Sequence, residues 1–564
     1  MNKPKTERIY TPAKNMKHYI SLLAAFGDKT LFRYYVGKDI VDMSYREFTD
    51  KVICFAAGLS SIGLGGKRIA VVGETSYQWV AAYLAAVTGG GVAIPLDKEL
   101  KIEELAGFLE ISEADAIVYS KTFNQKFADL IANNDRKMIF IPIEPDEGTE
   151  SDFIIPFDTV VEKGKVAKEA GYEFPDTEDP NRLATMLFTS GTTGSSKCVM
   201  LSEKNIYSSF NAACECVEFF PDDTIVSVLP LHHTYELCVM MAAMNYGMTV
   251  CINDSLKRVL KNFGTFKPTG LILVPLFINT MYKKIFSEAE KQGKAGALRF
   301  LIKLSRTLRK VGIDMRGKFF ASVRAPFGGR LVKIVSGGAP LNPEMVKCFE
   351  EFGIQICEGY GITECSPLVS VNPYFKSKLS SVGPTVNSCV AKIDGTDKNE
   401  KGYISGEILV RGNNVMLGYY NNEEENKKVF TEDGYFRTGD IGYMDEDGYI
   451  FITGRKKSVI VLENGKNVFP EEIEEYLEGV DSIAESVVCG RTNDSGEVIV
   501  TAVCYPAYDK LDGLDDAEIE AKIRSDIDKL NRHITGFKQI RSVEIRTEEF
   551  EKTTSKKIKR HLIK

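Results

Sequence analysis

Between Arg68 and Ile143 the apolar runs IAVV, VAIP, AIVY and MIFIPI alternate with stretches of helical periodicity near residues 78–87 and 102–110 and a further helical stretch before the last run. Short runs that are apolar at every position suit strands buried on both faces, and strand–helix alternation winds such strands into a parallel sheet covered by helices. A second series starts near Thr224 with TIVSVLPL, a helix through Met240, TVCI and later GLILVP. An α/β protein with two doubly wound αβ layers is therefore expected, although no residue-level repeat relates them.

The chain has 564 residues. That exceeds the roughly 250–300 residues at which a single core stops growing, so more than one unit is expected. Near Gly402 the pattern changes to short strands and turns, as in YISGEILVRG and the Asp447-Gly448 turn before YIFITG, which suggests a small β-barrel-like part. Beyond residues 455–457, VIVLENGKNVFPEEIEEYL reads as a hairpin turning at Asn464-Gly465 and a helix starting near Pro470. The predicted division is a large N-terminal domain, 1–455, and a small α+β C-terminal domain, 456–564.

A formal net charge of −7 gives no general attraction to nucleic acid or anionic lipid, so any such contact must be local. The twelve cysteines are scattered. Cys214 and Cys216 are the close pair, and i,i+2 neighbours on a helix point apart, so neither structural zinc nor a disulfide framework is expected. The opening MNKPKTERIYTPAKN holds no signal-peptide core, and a cytoplasmic location is expected. The most membrane-like stretch, residues 79–96, is divided by Gly89, Gly90 and Gly91 and reads as a buried helix and strand.

Residues 187–199, LFTSGTTGSSKCV, carry an apolar strand into a run of Gly, Ser and Thr that ends at Lys197. Glycines let backbone amides approach an anion, hydroxyls add donors and the lysine adds charge, so the run suits a polyphosphate. A polar hairpin loop has the same composition. The P-loop of nucleotide hydrolases is excluded, because Ser195 and Ser196 separate the second glycine from the lysine.

The order of residues in this run resembles the phosphate loop of the adenylate-forming superfamily. LPLHHTYE, SGGAP, EGYGITE, YFRTGD, ITGRKKSVIVLENGKNVFPEEIE and FEKTTSKKIKR follow in that superfamily's order, so the resemblance covers nearly the whole chain. It implies ATP binding by Thr189, Ser190, Gly191, Thr192, Thr193, Gly194, Lys197, Gly338, Ala339, Pro340, Glu358, Gly359, Tyr360, Gly361, Thr363, Asp440, Ile452 and Arg455. By the same resemblance Tyr360 is expected to stack on adenine, and Asp440 and Arg455 to hold the ribose. Glu364, with Thr189, holds Mg2+. His233 lines the acyl site, and His233, Thr363, Glu364 and Lys557 form the catalytic set.

Glu551 and Lys556 stand where the superfamily commonly has proline and glycine, and the lysines around them also fit a solvated basic tail; the kept Thr-x-Ser spacing selects Lys557. The resemblance further implies a mobile C-terminal domain with its hinge at Lys457, and a pantetheine tunnel passing Gly465. A carboxylate, ATP and coenzyme A are the expected substrates, with Mg2+ as cofactor. The acid attacks the α-phosphate, and the acyl-adenylate then passes its acyl group to a thiol.

Residues 283–333 are rich in Lys and Arg, with Leu298, Phe300, Leu301, Leu304 and Leu308 at helical spacing. A basic amphipathic helix placed before SGGAP resembles the long-chain fatty acyl-CoA synthetases and suggests peripheral membrane contact, while a surface helix packed on the main domain fits equally well. The LPLHHTYE segment lacks the aspartate that amino acid activating relatives use for an ammonium group, which favours an unmodified acid. Other readings are a ligase of the same family for an aromatic acid or one loading a carrier protein, and a catalytically silent nucleotide-binding protein.

Overall fold

The structure is a computed structural model that describes residues 10–148, 151–189, 196–462, 467–493, 496–552 and 558–563. The alternation from Arg68 becomes a seven-stranded sheet in the order Gly418–Tyr419, Lys197–Ser202, Leu183–Thr189, Val92–Leu96, Arg68–Val72, Ala116–Tyr119, Ile139–Pro142. Its centre is parallel, and the hairpin joining Leu183–Thr189 to Lys197–Ser202 makes one side antiparallel. Strand Val92–Leu96 is buried at every position, which is why its sequence does not alternate.

Helix Tyr77–Thr88 starts where the Ser76 side chain accepts from the Trp79 amide, a cap that contributes about 1 kcal/mol. From Trp79 to Thr88 it is buried on all sides, so it is apolar all round without facing lipid. Gly89 closes it, and Gly90 takes a left-handed φ of +80° that a side chain would resist. No described helix is long and apolar enough to cross a membrane.

The second sheet has eight strands in the order Leu368–Val371, Gln355–Gly361, Lys333–Ser336, Gly270–Leu273, Thr224–Ser227, Thr249–Ile252, Thr30–Val36, Asp39–Ser44. Its inner pairs are parallel and both edges antiparallel. Strand Thr224–Ser227 lies between the strand that follows it and Gly270–Leu273, so the winding direction changes beside it, the place where open α/β sheets form a crevice.

The β-rich part is a four-stranded antiparallel sheet, Cys389–Asp394, Ser405–Gly412, Phe436–Met444 and Ile450–Arg455. The turn between its last two strands is closed by Asp445 Oδ1, which accepts from the amides of Asp447 and Tyr449 at 3.1 and 2.9 Å.

A smaller α+β domain follows. The hairpin Ile460–Val461 and Asn467–Val468 is present, and its predicted turn at Asn464-Gly465 lies outside the described residues. Helix Pro470–Leu477 begins with proline, as the sequence suggests. With helix Asp516–Asn531 it packs on a sheet of Ile483–Thr492, Val498–Pro506 and Ser542–Ile545, burying Ile473, Leu477, Ile519, Ile523 and Ile527 in a separate core.

The basic segment differs in detail from its prediction. It forms the end of helix Pro275–Lys291, helix Ala295–Lys310 and the short helices Arg316–Phe319 and Ala321–Arg324. Leu298, Ile302 and Ser305 face inward, whereas Phe300 is 64% exposed. The buried stripe thus runs 298, 302, 305 at i+4 and i+3 steps, and Phe300 lies off it. All twelve cysteines are free thiols.

Candidate functional site

Parallel pairing brings LPLHHTYE, SGGAP and EGYGITE together. Strands Lys333–Ser336 and Gln355–Gly361 are neighbours with Ser336 opposite Glu358, so the loops that follow them emerge side by side. Helix Thr234–Asn245, which starts directly after His233, approaches the same place, and its Tyr235 hydroxyl donates to the Val335 carbonyl at 3.2 Å. The Tyr235 ring also fills the space a side chain on Gly337 would need. Gly338 takes a φ of +90°, a conformation that favours glycine, and Gly338, Ala339 and Pro340 are exposed.

Gly361 is required for a different reason: a Cβ there would sit 2.4 Å from the Pro367 carbonyl oxygen. The tight return it permits places Thr363 and Glu364 directly after the strand, in a single 3-10 turn. Glu358 is 9% exposed, and burial, reinforced by the charge of Glu475, pushes its carboxyl up to about 8. Glu236, on the helix behind His233, is buried too; its Oε1 accepts from the Ser227 hydroxyl, and burial raises its carboxyl to about 8.

Tyr360, Asp440 and Arg455 form one connected chain. Strands Phe436–Met444 and Ile450–Arg455 pair in a register that sets Asp440 opposite Arg455, and Arg455 Nε lies 2.8 Å from Asp440 Oδ1. From the second sheet, the Tyr360 hydroxyl donates to Asp440 Oδ2 at 2.6 Å. Burial, with the Asp440 charge, holds the Tyr360 phenol well above its ordinary pKa, so it remains a donor. Ile452 lies on the Arg455 strand and is half-buried.

The hairpin of Leu183–Thr189 and Lys197–Ser202 joins this group through a segment that the motifs did not include. Tyr419 pairs with Val199 beside the hairpin, and its hydroxyl donates to Glu364 Oε1 at 2.8 Å. The Lys197 ammonium lies 4.7 Å from the Tyr419 ring centroid and forms an ion pair with Glu425 of helix Glu423–Val429. Thr189 Oγ1 contacts the Lys197 carbonyl at 3.4 Å across the hairpin. Ser190, Gly191, Thr192, Thr193 and Gly194 lie outside the described residues, as do Gly465 and Lys557.

Tyr419 and Glu425 are site neighbours that sequence reasoning missed. Their segment, GYYNNEEEN, carries an aromatic after glycine and an acidic run, and neither points to Lys197 without the strand pairing. His233 lies at the start of helix Thr234–Asn245. Its ring is 4.3 Å from that of His232, whose Nε2 is 3.4 Å from Asp97 Oδ2. A small, largely apolar gap with room for about one water molecule is lined by Tyr83, Leu187, Leu201, Thr234, Leu237 and Met241 among others. Lys457 is exposed in the turn that leaves strand Ile450–Arg455.

Loops from two parallel-centred sheets converge with an aromatic–carboxylate–guanidinium chain and a lysine hairpin, and that combination defines an adenylate-forming α/β enzyme. The chain belongs to the AMP-binding enzyme family: its model matches residues 23–420, and the model of the AMP-binding enzyme C-terminal domain matches residues 457–564. Long-chain-fatty-acid–CoA ligase FadD15 of Mycobacterium bovis is 30% identical over 471 residues, covering 80% of this chain and 75% of that one. Human long-chain-fatty-acid–CoA ligase 6 is 27% identical over 90% of this chain and 78% of its own. Among solved structures, ATP-bound MatB from Rhodopseudomonas palustris superposes with a TM-score of 0.71 at 24% identity, covering 97% of this chain and 98% of that one.

Proposed function

We infer that the protein activates a medium- or long-chain fatty acid with ATP and transfers the acyl group to coenzyme A. The observation that carries this is the convergence of three sheets on one place: Tyr360 from the second, Asp440 and Arg455 from the third, and Glu364 joined through Tyr419 to the hairpin of the first. The names of the relatives supply the substrate class.

In the first step a carboxylate oxygen attacks the α-phosphorus of ATP, the bond to the bridging oxygen breaks, and pyrophosphate leaves. Tyr360 stacks on adenine, against Gly338, Ala339 and Pro340 and the Glu358, Gly359 and Gly361 backbone, while Asp440 and Arg455 hold the ribose beside Ile452. The loop from Thr189 to Gly194, with Lys197 and Thr363, holds the phosphates. His233 borders the acid. Lys557 bridges the α-phosphate and the carboxylate and balances the charge that develops there.

A carboxylate at Glu364 and a hydroxyl at Thr189 fit Mg2+ held mainly by phosphate and water oxygens, a hard-oxygen set of few protein ligands. When bound, the ion neutralises charge on the departing pyrophosphate. In the second step the thiol of coenzyme A loses its proton to solvent, its sulfur attacks the acyl carbon, and AMP leaves. The division into 1–455 and 456–564, with Lys457 as hinge, allows the small domain to exchange faces between the steps, and Gly465 keeps the pantetheine path open.

The basic helix Ala295–Lys310 supports peripheral contact with anionic lipid. It has no acidic residue; Arg306 and Arg309 are tied to Glu350 and Glu351, while Arg299, Phe300, Lys303, Lys310 and Val311 are exposed. Cosedimentation with phosphatidylglycerol vesicles but not phosphatidylcholine vesicles is expected, and equal absence from both pellets rejects the contact.

The activity is tested by mass spectrometry of products from ATP, Mg2+, coenzyme A or a carrier protein, and a panel of acids of graded length with aromatic acids included. Acyl-CoA from the fatty acids is expected. Product from aromatic acids alone, or no product from any acid, rejects the reading.

A further inference from the structure

The described residues on either side of Lys557 are tied to each other and to the small domain. The chain leaves the described residues at Lys552 and returns at Ile558, and these two residues pair as an antiparallel bridge. The Lys559 amide donates to the Glu551 carbonyl at 2.8 Å, which continues the pairing. On the entering side Lys552 forms an ion pair with Glu485, whose Oε2 also accepts from the Phe550 amide at 3.2 Å. On the returning side Arg560 forms an ion pair with Glu474 and lies 3.8 Å from Glu471.

Glu471 and Glu474 are three apart on helix Pro470–Leu477 and so share a face. Glu474 is fixed in turn: its Oε1 accepts from the Val488 amide at 2.6 Å. Glu471 sits against the strand that carries Arg455, since a Cβ on Gly454 would meet Glu471 Oε2 at 2.9 Å and the Phe469 ring at 2.8 Å. A continuous path therefore runs from Arg560 through Glu471 to Gly454, and from its neighbour Arg455 to Asp440 and Tyr360.

We propose that Arg560, clamped by Glu474 and Glu471, is a positioning residue that anchors the chain returning at Ile558 against helix Pro470–Leu477 and so serves the adenylation step assigned to Lys557. The inference rests on the reading of Lys557 as the adenylation lysine. A lysine that must span the α-phosphate and a carboxylate is effective only within a fraction of an ångström of its place, so a clamp outside the reacting atoms governs that step. Thioester formation does not use Lys557, and the clamp is irrelevant to it.

The test compares the full-length wild type with Arg560→Met, Arg560→Lys, Glu474→Gln and Lys557→Ala. Two half-reactions are measured: pyrophosphate release from ATP, Mg2+ and the fatty acid that turns over fastest, and acyl-CoA formation from the synthetic acyl-adenylate and coenzyme A. Arg560→Met and Glu474→Gln are expected to slow pyrophosphate release about tenfold or more, with KM for ATP and thioester formation each within about twofold of wild type. Arg560→Lys is expected to recover part of the loss.

A parallel fall of both half-reactions marks general damage to the small domain and overturns the proposal. So does full pyrophosphate release by Arg560→Met when Lys557→Ala has lost it, an outcome that leaves the role of Lys557 intact. If Lys557→Ala itself keeps full release, the assignment of that lysine fails and the inference fails with it.

Discussion

Tyr360 and Asp440 stand 80 positions apart in the chain, yet the tyrosine hydroxyl donates to the aspartate at 2.6 Å. The bond ties strand Gln355–Gly361 of the second sheet to the buried carboxylate of the third, so the Tyr360 ring and the Asp440 carboxylate are fixed as a pair. Tyr360→Phe keeps the ring and removes the donor. A lost hydrogen bond to a buried charged acceptor costs about 1–3 kcal/mol, so melting should shift downward. If the bond also sets the ring's angle, KM for ATP should rise several-fold while kcat changes little. An unchanged KM would assign the bond to stability alone.

Lys197 is held by Glu425 in a half-buried ion pair, and the lysine keeps the Glu425 carboxyl below its ordinary range. The carboxylate occupies the charge that a polyphosphate would use. Glu425→Gln should therefore lower KM for ATP by about threefold to tenfold, the size of one charge contact in a half-exposed setting, with kcat within about twofold. Isothermal titration with ATP checks the affinity directly. A higher KM would mean instead that Glu425 orients the lysine for the nucleotide.

The two series of strands and helices were legible in the sequence because strands buried on both faces cannot hide their apolar character; Val92–Leu96 and Thr224–Ser227 are buried at every position. The hairpin Thr30–Val36 and Asp39–Ser44, which edges the second sheet, was not legible, because its outer strand is largely exposed and has no such run. Phe300 was misplaced on the apolar face because it stands only two positions from Leu298, which turns it to another side of the same helix, Ala295–Lys310. In the candidate site, glycine-rich turns and motif order singled out Gly338, Tyr360 and Asp440. Tyr419, Glu425 and the Arg560 clamp were invisible, since their meaning comes from strand pairing and from carboxylates hundreds or tens of residues away.

If the turn leaving strand Ile450–Arg455 is the hinge, fixing its backbone should separate the two half-reactions. Proline locks φ near −65° and removes an amide donor. Lys457→Pro should leave pyrophosphate release within about threefold of wild type and slow thioester formation by about tenfold or more, because domain exchange precedes only the second step. Both are read in single-turnover experiments with and without coenzyme A. Equal loss in the two steps would remove the hinge from this position.

Glu236 gives a pH signature. Its buried carboxyl, raised to about 8 in the folded chain, has an ordinary value near 4.5 when unfolded. Between those two values the folded state holds a proton that the unfolded state has released, so stability falls as pH rises, at up to about 1.4 kcal/mol per pH unit for this one group. Above about 8 both states are ionised and the loss stops growing. Glu236→Gln keeps an oxygen to accept from the Ser227 hydroxyl and cannot ionise, so this part of the slope should vanish. Denaturant melts at pH 5 and pH 8 are the check: the variant should match wild type at pH 5 and exceed it at pH 8. Glu358, also raised to about 8, adds a slope of the same sign, so wild type should keep part of its fall after the Glu236 change. A variant that tracks wild type at both pH values would mean that Glu236 ionises near its ordinary value in the folded protein.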